Sequence, residues 1–235
     1  MWERALRRSG LSIAWSEGFS PRPLLSFGHA LPTGAESLAE YLDASLASGG
    51  TVVDDTGSDR DLWEGLALRL SCLLPDGLDV LAIAPLPRGP GSLQQEVSSC
   101  SWKLEVLGLA AEKLASRVER LLASPTALVE RERKGRSAPD DLRPALLALA
   151  VFPHADGGPD ELTHGDRAWL EAELATRPRG VRPRELLEAL GPGVRLSRAC
   201  RLHQWIERDG TRVEPLVVCG REAGAVAAHA EGRAT

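Results

Sequence analysis

The sequence has little lysine, one methionine, one tyrosine and no cysteine pattern. Of its 28 basic residues only Lys103, Lys113 and Lys134 are lysines. With 23 glycines and 16 prolines beside them, that bias reads as GC-rich coding, so arginine abundance alone does not point to anion binding. Cysteines occur at 72, 100, 200 and 219 without a CxxC or a paired spacing. That argues against a cysteine-held metal cluster and a disulfide framework, and Cys72 and Cys200 are expected as buried thiols. No apolar run approaches ~18 residues and no signal peptide opens the chain, so a cytoplasmic protein without membrane contact is expected. A net charge of −5 removes any global pull toward nucleic acid. What is present is ordinary: 235 residues, 43% of them hydrophobic, enough to bury a core in one large domain or two small ones.

The positive charge is local. Arg4, Arg7, Arg8 and Arg22 cluster near the start, and Arg131, Arg133, Lys134 and Arg136 form a second group. Trp2 to Ser9 reads as a helix with Trp2, Ala5, Leu6 and Ser9 on one face, the arginines on another, and Gly10 as its stop. Next comes Gly18-Phe19-Ser20-Pro21-Arg22-Pro23-Leu24-Leu25-Ser26-Phe27-Gly28. Its prolines push Ser20 and Arg22 toward extended geometry, which predicts a stiff connector that orders cheaply on binding. Leu25–Leu31 and Glu40–Leu46 read as paired strands with a long connection. Ser58-Asp59-Arg60-Asp61 has the pattern of a capping box, ahead of a helix with Leu62, Leu66, Leu70 and Leu73 on one stripe. Leu78–Leu86 reads as a strand, and Pro87–Ser92 as a linker.

Beyond the linker the order recurs. Ser101–Leu107 is predicted as a strand, Glu112–Ala123 as a helix and Thr126–Arg133 as a strand. A basic turn and an apolar run to Phe152 follow. In Ala168–Ala175, Leu170, Ala172 and Leu174 alternate with Trp169, Glu171 and Glu173. A helix opening at Pro183 and a strand over Val194–Ile206 complete the pattern. The expected architecture is α+β: tandem ferredoxin-like (βαββαβ) halves, residues 1–90 and 97–208, with the first half lacking its opening strand and 209–235 a flexible tail. In such a half the missing strand is central, so the natural chain is expected to begin earlier, with a strand and a basic turn.

Arg7-Arg8-Ser9-Gly10-Leu11, Trp15-Ser16-Glu17-Gly18-Phe19-Ser20-Pro21-Arg22-Pro23, Leu25-Ser26-Phe27-Gly28, Ala30-Leu31-Pro32-Thr33-Gly34 and Glu40-Tyr41-Leu42-Asp43 resemble the radical-SAM-linked proteins, an uncharacterised bacterial family. Lys134-Gly135-Arg136 and Asp141-Leu142-Arg143-Pro144 are similar to a second, weaker element of that family. The resemblance covers roughly residues 2 to 205 and implies a radical SAM protein as partner. Many members have histidine where this chain has Ser20 or Arg22, so no acid–base or metal role carries over to those positions. Members usually open with a strand and a basic turn ahead of the first helix, which this sequence lacks. The three-cysteine cluster motif of radical chemistry is missing too, so this chain is not the radical enzyme.

For RNA binding the candidates are Arg4, Arg7, Arg8, Phe19, Arg22, Arg133, Lys134 and Arg136. Arginine forks suit phosphate, and exposed rings stack on unpaired bases. The alternative is that Phe19 and Phe27 pack the hairpin onto the helix while the arginines are solvated. For the second basic group the alternative is an edge strand protected by charge. Arg7, Arg8, Arg22 and the Gly18–Gly28 stretch are expected on one surface. Gly18, Pro21, Pro23 and Ser26 serve the connector's shape, and Asp141 with Arg143 reads as an ion pair or turn cap. Ser26 and His29 fall on opposite faces of a strand, and no acid orients His29, so a hydrolase is not supported. His154 and His164 lack metal-ligand spacing. The sequence thus points to a non-catalytic accessory protein without cofactor or metal, binding tRNA or rRNA for a radical SAM partner. Alternatives are a protein-binding module without RNA contact, or an endoribonuclease of ferredoxin-like type.

Overall fold

A computed structural model describes residues 1–47, 60–86, 92–133, 135–153 and 166–216. The chain is a mixed α+β protein. In order, its elements are α1 (Trp2–Arg8), β1 (Leu25–Phe27), β2 (Glu36–Ser37), β3 (Leu42–Ala44), α2 (Arg60–Ser71), α3 (Leu93–Glu96), β4 (Val97–Leu107) and α4 (Ala111–Ala123). The hairpin β5 (Leu128–Arg133) and β6 (Arg136–Asp141), a 3-10 turn at Arg143–Ala145, β7 (Leu146–Pro153), β8 (Arg167–Ala175), α5 (Pro183–Ala189), β9 (Arg195–Arg208) and β10 (Thr211–Val213) follow. Among the described residues no helix is long and apolar enough to cross a membrane.

The residues group into two compact units. One contains Met1–Ser12 and the described part of Ser48–Leu86; the other contains Ile13–Ala47 and the described part of Pro87–Pro215. In the first unit, α1 buries Ala5, Leu6 and Ser9, the face expected from the spacing, and Gly10 at φ +88° ends the helix. Arg69 on α2 donates to the Ser9 carbonyl at 3.2 Å. α2 buries Leu66, Ala67 and Leu70, with Leu74 following it. Leu62 is exposed, and so is Cys72, against the expected buried thiol. The helix turns Leu66 and Leu70 inward, and Cys72 falls on its outer side. The expected capping box at Ser58–Asp61 lies largely outside the described residues.

The strand expected over Leu78–Leu86 does not form. Leu78, Leu81 and Leu86 are exposed, and the Val80 amide donates to the Ser71 hydroxyl at 2.8 Å instead of to a neighbouring strand. A short apolar run bounded by Pro75 and Pro87 has no periodicity that demands a sheet. The paired strands are found but are shorter than expected: β1 and β3 pair antiparallel, Leu25 opposite Ala44 and Phe27 opposite Leu42. Residues 1–90 assemble no four-strand sheet of their own among the described residues, since β2 runs parallel to the outer edge of β9 at Cys200 and Arg201.

In the second unit, β10-β9-β4-β8-β7 form the main sheet, and the β9, β4, β8 and β7 pairings are all antiparallel. Among β4, β7, β8 and β9, numbered in chain order, the spatial order is thus fourth, first, third, second. α4 and α5 cover one face: Leu114, Val118 and Leu121, with Leu186, Leu187 and Leu190, meet Trp102, Leu104, Leu170, Leu174 and Ile206 in a single core. A register shift in the β4–β9 pairing decides which β9 side chains reach that core. Between Ser101 and Trp102 the register skips Leu202, so Arg201 pairs with Trp102 on the helix side while His203 pairs with Ser101 on the other face.

Candidate functional site

Two surfaces of the second unit carry concentrated chemistry. The first holds residues 28–40 against β9. Arg201 is 0% exposed and lies 5.0 Å over the Trp102 ring. Its Nη1 donates to the His29 carbonyl at 2.6 Å and to Glu40 Oε1 at 2.9 Å, and its Nη2 donates to the Ala30 carbonyl at 2.9 Å. Gln204, also fully buried, donates to the Ala39 carbonyl at 2.6 Å and accepts from the His29 amide at 2.7 Å. Gly28 packs on the same amide, where a Cβ would stand 2.6 Å from Gln204 Oε1. This is a clasp: two buried side chains satisfy the backbone of a segment with few ladder bonds of its own. Burial, with Arg201 nearby, lowers the His29 pKa below its usual value, which favours the neutral ring. Burial pushes the Cys100 thiol up to about 12, so it is no nucleophile.

The second surface is the sheet face opposite the helices. On β8, Trp169 stands beside Phe152 of β7 in register, and Lys103 of β4 places its ammonium 4.8 Å over the Trp169 ring. Phe152 is 45% exposed. Toward the other edge, Trp205 donates to the Ser101 hydroxyl at 2.8 Å, stacks on His203 at 4.9 Å and lies under the Arg212 guanidinium at 4.3 Å. Arg212 pairs with Glu173 at 2.5 Å, Glu173 accepts from Ser99 at 2.8 Å, and His203 Nδ1 meets Glu214 at 2.7 Å. Ser101, His203 and Glu214 look like hydrolase parts, but the Ser101 hydroxyl already accepts from Trp205. No His203–Ser101 hydrogen bond is seen, and both side chains are buried. Among the described residues no group of three or more His, Cys, Asp or Glu side chains stands together as a ligand set.

The residues singled out from the sequence fall in both units. Arg4, Arg7 and Arg8 belong to the first unit and are exposed on α1, with Arg7 paired to Glu3 at 2.8 Å. Arg22 and Phe19 belong to the second unit. The stretch expected as an extended connector folds back as a hairpin. Trp15 bridges Pro23, the Ser16 amide donates to the Arg22 carbonyl at 2.8 Å, and the Arg22 amide donates to the Ser16 hydroxyl at 3.0 Å. Gly18 at φ +119° and Pro21 shape its tip, where Phe19 is fully exposed, not packed onto a helix. Ser26 lies within β1, opposite Asp43.

Of the second basic group, Arg136 is exposed at the start of β6. Arg133 ends β5; its side chain and Lys134 lie outside the described residues. Arg131, read as part of that surface, is buried. It pairs with Asp140 at 2.7 Å, pairs with Glu185 and donates to the Gly180 carbonyl at 3.0 Å, so it ties the β5–β6 hairpin to α5. Asp141 accepts from the Ala127 and Arg143 amides at 2.7 and 3.0 Å, and those bonds hold its pKa below the usual carboxylate value. Arg143 donates to the Leu122 carbonyl at 2.9 Å. Both therefore act as backbone caps. His154 and His164 lie outside the described residues. Trp169, Phe152 and Lys103 had not been singled out. The usable signal was a tryptophan on the polar side of an alternating strand.

A family model described as "Uncharacterized protein conserved in bacteria (DUF2344)" matches residues 1–182. No curated protein matches the chain. No solved structure matches it either.

Proposed function

The chain belongs to the bacterial family DUF2344, and from that premise we propose that it is an accessory module that binds unpaired RNA for a radical SAM enzyme. The region from β4 to β9 reads as a ferredoxin-like unit, an arrangement that leaves one sheet face free of helices. The observation that carries the proposal is the pair of rings on that face, Trp169 and Phe152 on adjacent strands, with Lys103 beside them. Unstacked bases lie flat on such rings, and each is worth ~1–3 kcal/mol. Exposed Arg22 and Arg136 in the same unit, and Arg4 and Arg8 in the other, supply guanidinium groups for phosphate. The radical SAM partner rests on the sequence resemblance, and tRNA or rRNA is the RNA that such a partner would modify. Fluorescence anisotropy with a labelled single-stranded RNA tests the reading. Binding should weaken as salt rises, and Phe152→Ala with Trp169→Ala should weaken it by ~10-fold or more. No binding at low salt would overturn it.

A protein-binding module without RNA contact is the second reading. The exposed Phe19 at the hairpin tip favours it, because a bare ring two residues from the exposed, acidic Glu17 suits a protein pocket better than a phosphate chain.

A further inference from the structure

The hairpin over residues 13–25 presents an aromatic ring that its own fold leaves bare. Phe19 is fully exposed at its tip, and Trp15 and Leu24 are exposed on its arms. The arms are nevertheless fixed. The Leu24 amide donates to the Ala14 carbonyl and the Ala14 amide to the Ser45 carbonyl, each at 2.8 Å, beside the two Ser16–Arg22 bonds. A ring held out on a preorganised support loses little freedom when it docks. Its near neighbour in sequence, Glu17, is exposed and acidic.

Elsewhere in the same unit, α4 and α5 leave a cleft of about 380 Å³ lined by Leu121, Ala189, Leu190, Pro192, Arg117 and Arg120. Its floor is apolar and its rim is cationic. Arg117 is anchored, with Nη1 donating to the Leu190 carbonyl at 3.1 Å and the Pro192 carbonyl at 2.6 Å. Arg120 is exposed beside it, one helical turn on.

We infer that the hairpin tip of one copy of this chain docks into the α4–α5 cleft of a second copy. Phe19 enters the apolar floor with its ring against an arginine, and Glu17 meets the Arg117–Arg120 rim. Reciprocal docking, each tip in the other copy's cleft, closes an isologous dimer, whereas one-way docking is heterologous and propagates. The inference does not rest on the RNA reading.

Sedimentation equilibrium of the full chain over a wide concentration range tests it. The apparent mass should rise above the 25.2 kDa of one copy as concentration increases. Phe19→Ala should weaken association by ~10-fold or more, the usual effect of truncating a central aromatic anchor. Glu17→Arg and Arg120→Glu should each weaken it, and the two together should restore it. A chain that stays monomeric throughout would overturn the inference. So would Phe19→Ala associating like the parent, or a charge swap without rescue. A monomeric parent whose Phe19→Ala variant loses RNA affinity would assign the tip to RNA instead, and would also overturn it.

Discussion

Residues 13–25 and 28–40 are separated by two positions in the chain and are held in opposite ways. The later segment is gripped through its backbone: Arg201 and Gln204, both fully buried, take up the His29 amide and three carbonyls along it. The earlier segment is held by its own cross-hairpin bonds and by ladder bonds to residues 44–46, among them Ala14 to Ser45 and Ser45 to Leu24, and it turns Phe19 to solvent. Buried polar groups used on backbone mark a place where the fold depends on local chemistry. An exposed ring on a stiff support contributes nothing to the fold and is free for recognition. One motif-rich stretch therefore splits into a half that buried side chains grip and a half that leaves its ring exposed.

Substitutions can break this contrast, and the largest effect should come from Arg201. Arg201→Met keeps an unbranched apolar stem but removes the guanidinium over Trp102 and leaves the His29 and Ala30 carbonyls and Glu40 without their donor. A loss of ~3–5 kcal/mol is expected from urea denaturation, the range for breaking a buried charged network. Gln204→Ala should cost ~1–3 kcal/mol by stranding the His29 amide and the Ala39 carbonyl. Gly28→Ala should cost ~1–3 kcal/mol, since its new methyl collides with the Gln204 amide. In a Gln204→Ala background that cost should shrink, and the double-mutant cycle reads the coupling.

A smaller effect is expected with pH. The folded pKa of His29 lies below its ordinary 6.5, because of burial and then Arg201. The unfolded chain therefore takes up the proton first as pH falls. The stability tied to neutral His29 should be present above about 6.5 and should decline as pH drops through that value toward the folded pKa. Denaturation midpoints measured across this window should fall with acid, and His29→Gln should flatten that part of the slope. The smallest effect belongs to the tip. Phe19→Ala should leave stability within ~0.5 kcal/mol of the parent, as for exposed positions without special contacts.

Much of the second unit was legible because its helices and strands are periodic. The alternation in Ala168–Ala175 gave β8, and the i, i+4, i+7 apolar spacing gave α4. Leu78–Leu86 misled because an apolar run carries no information about whether a partner edge is available, and here Ser71 occupies the Val80 amide. Arg131 misled for a related reason. Charge on a strand reads as surface until Asp140 and Glu185 arrive from elsewhere in the chain to neutralise it. The clasp was invisible because it depends on the bulge at Leu202, which reverses the alternation of β9 and turns Arg201 inward. The sheet face opposite the helices was partly legible: Trp169 stood on the polar side of its strand, but its neighbours Phe152 and Lys103 come from two other strands.

The face opposite the helices is the central claim, and photocrosslinking tests it most directly. The full chain would be irradiated with a single-stranded RNA at low salt, and the linked peptides mapped by mass spectrometry. The account predicts crosslinks centred on β7 and β8, at Phe152 and Trp169, with Lys103 protected from acylation while RNA is bound. Crosslinks confined to the helix side or to residues 13–25, with Lys103 equally reactive throughout, would contradict it.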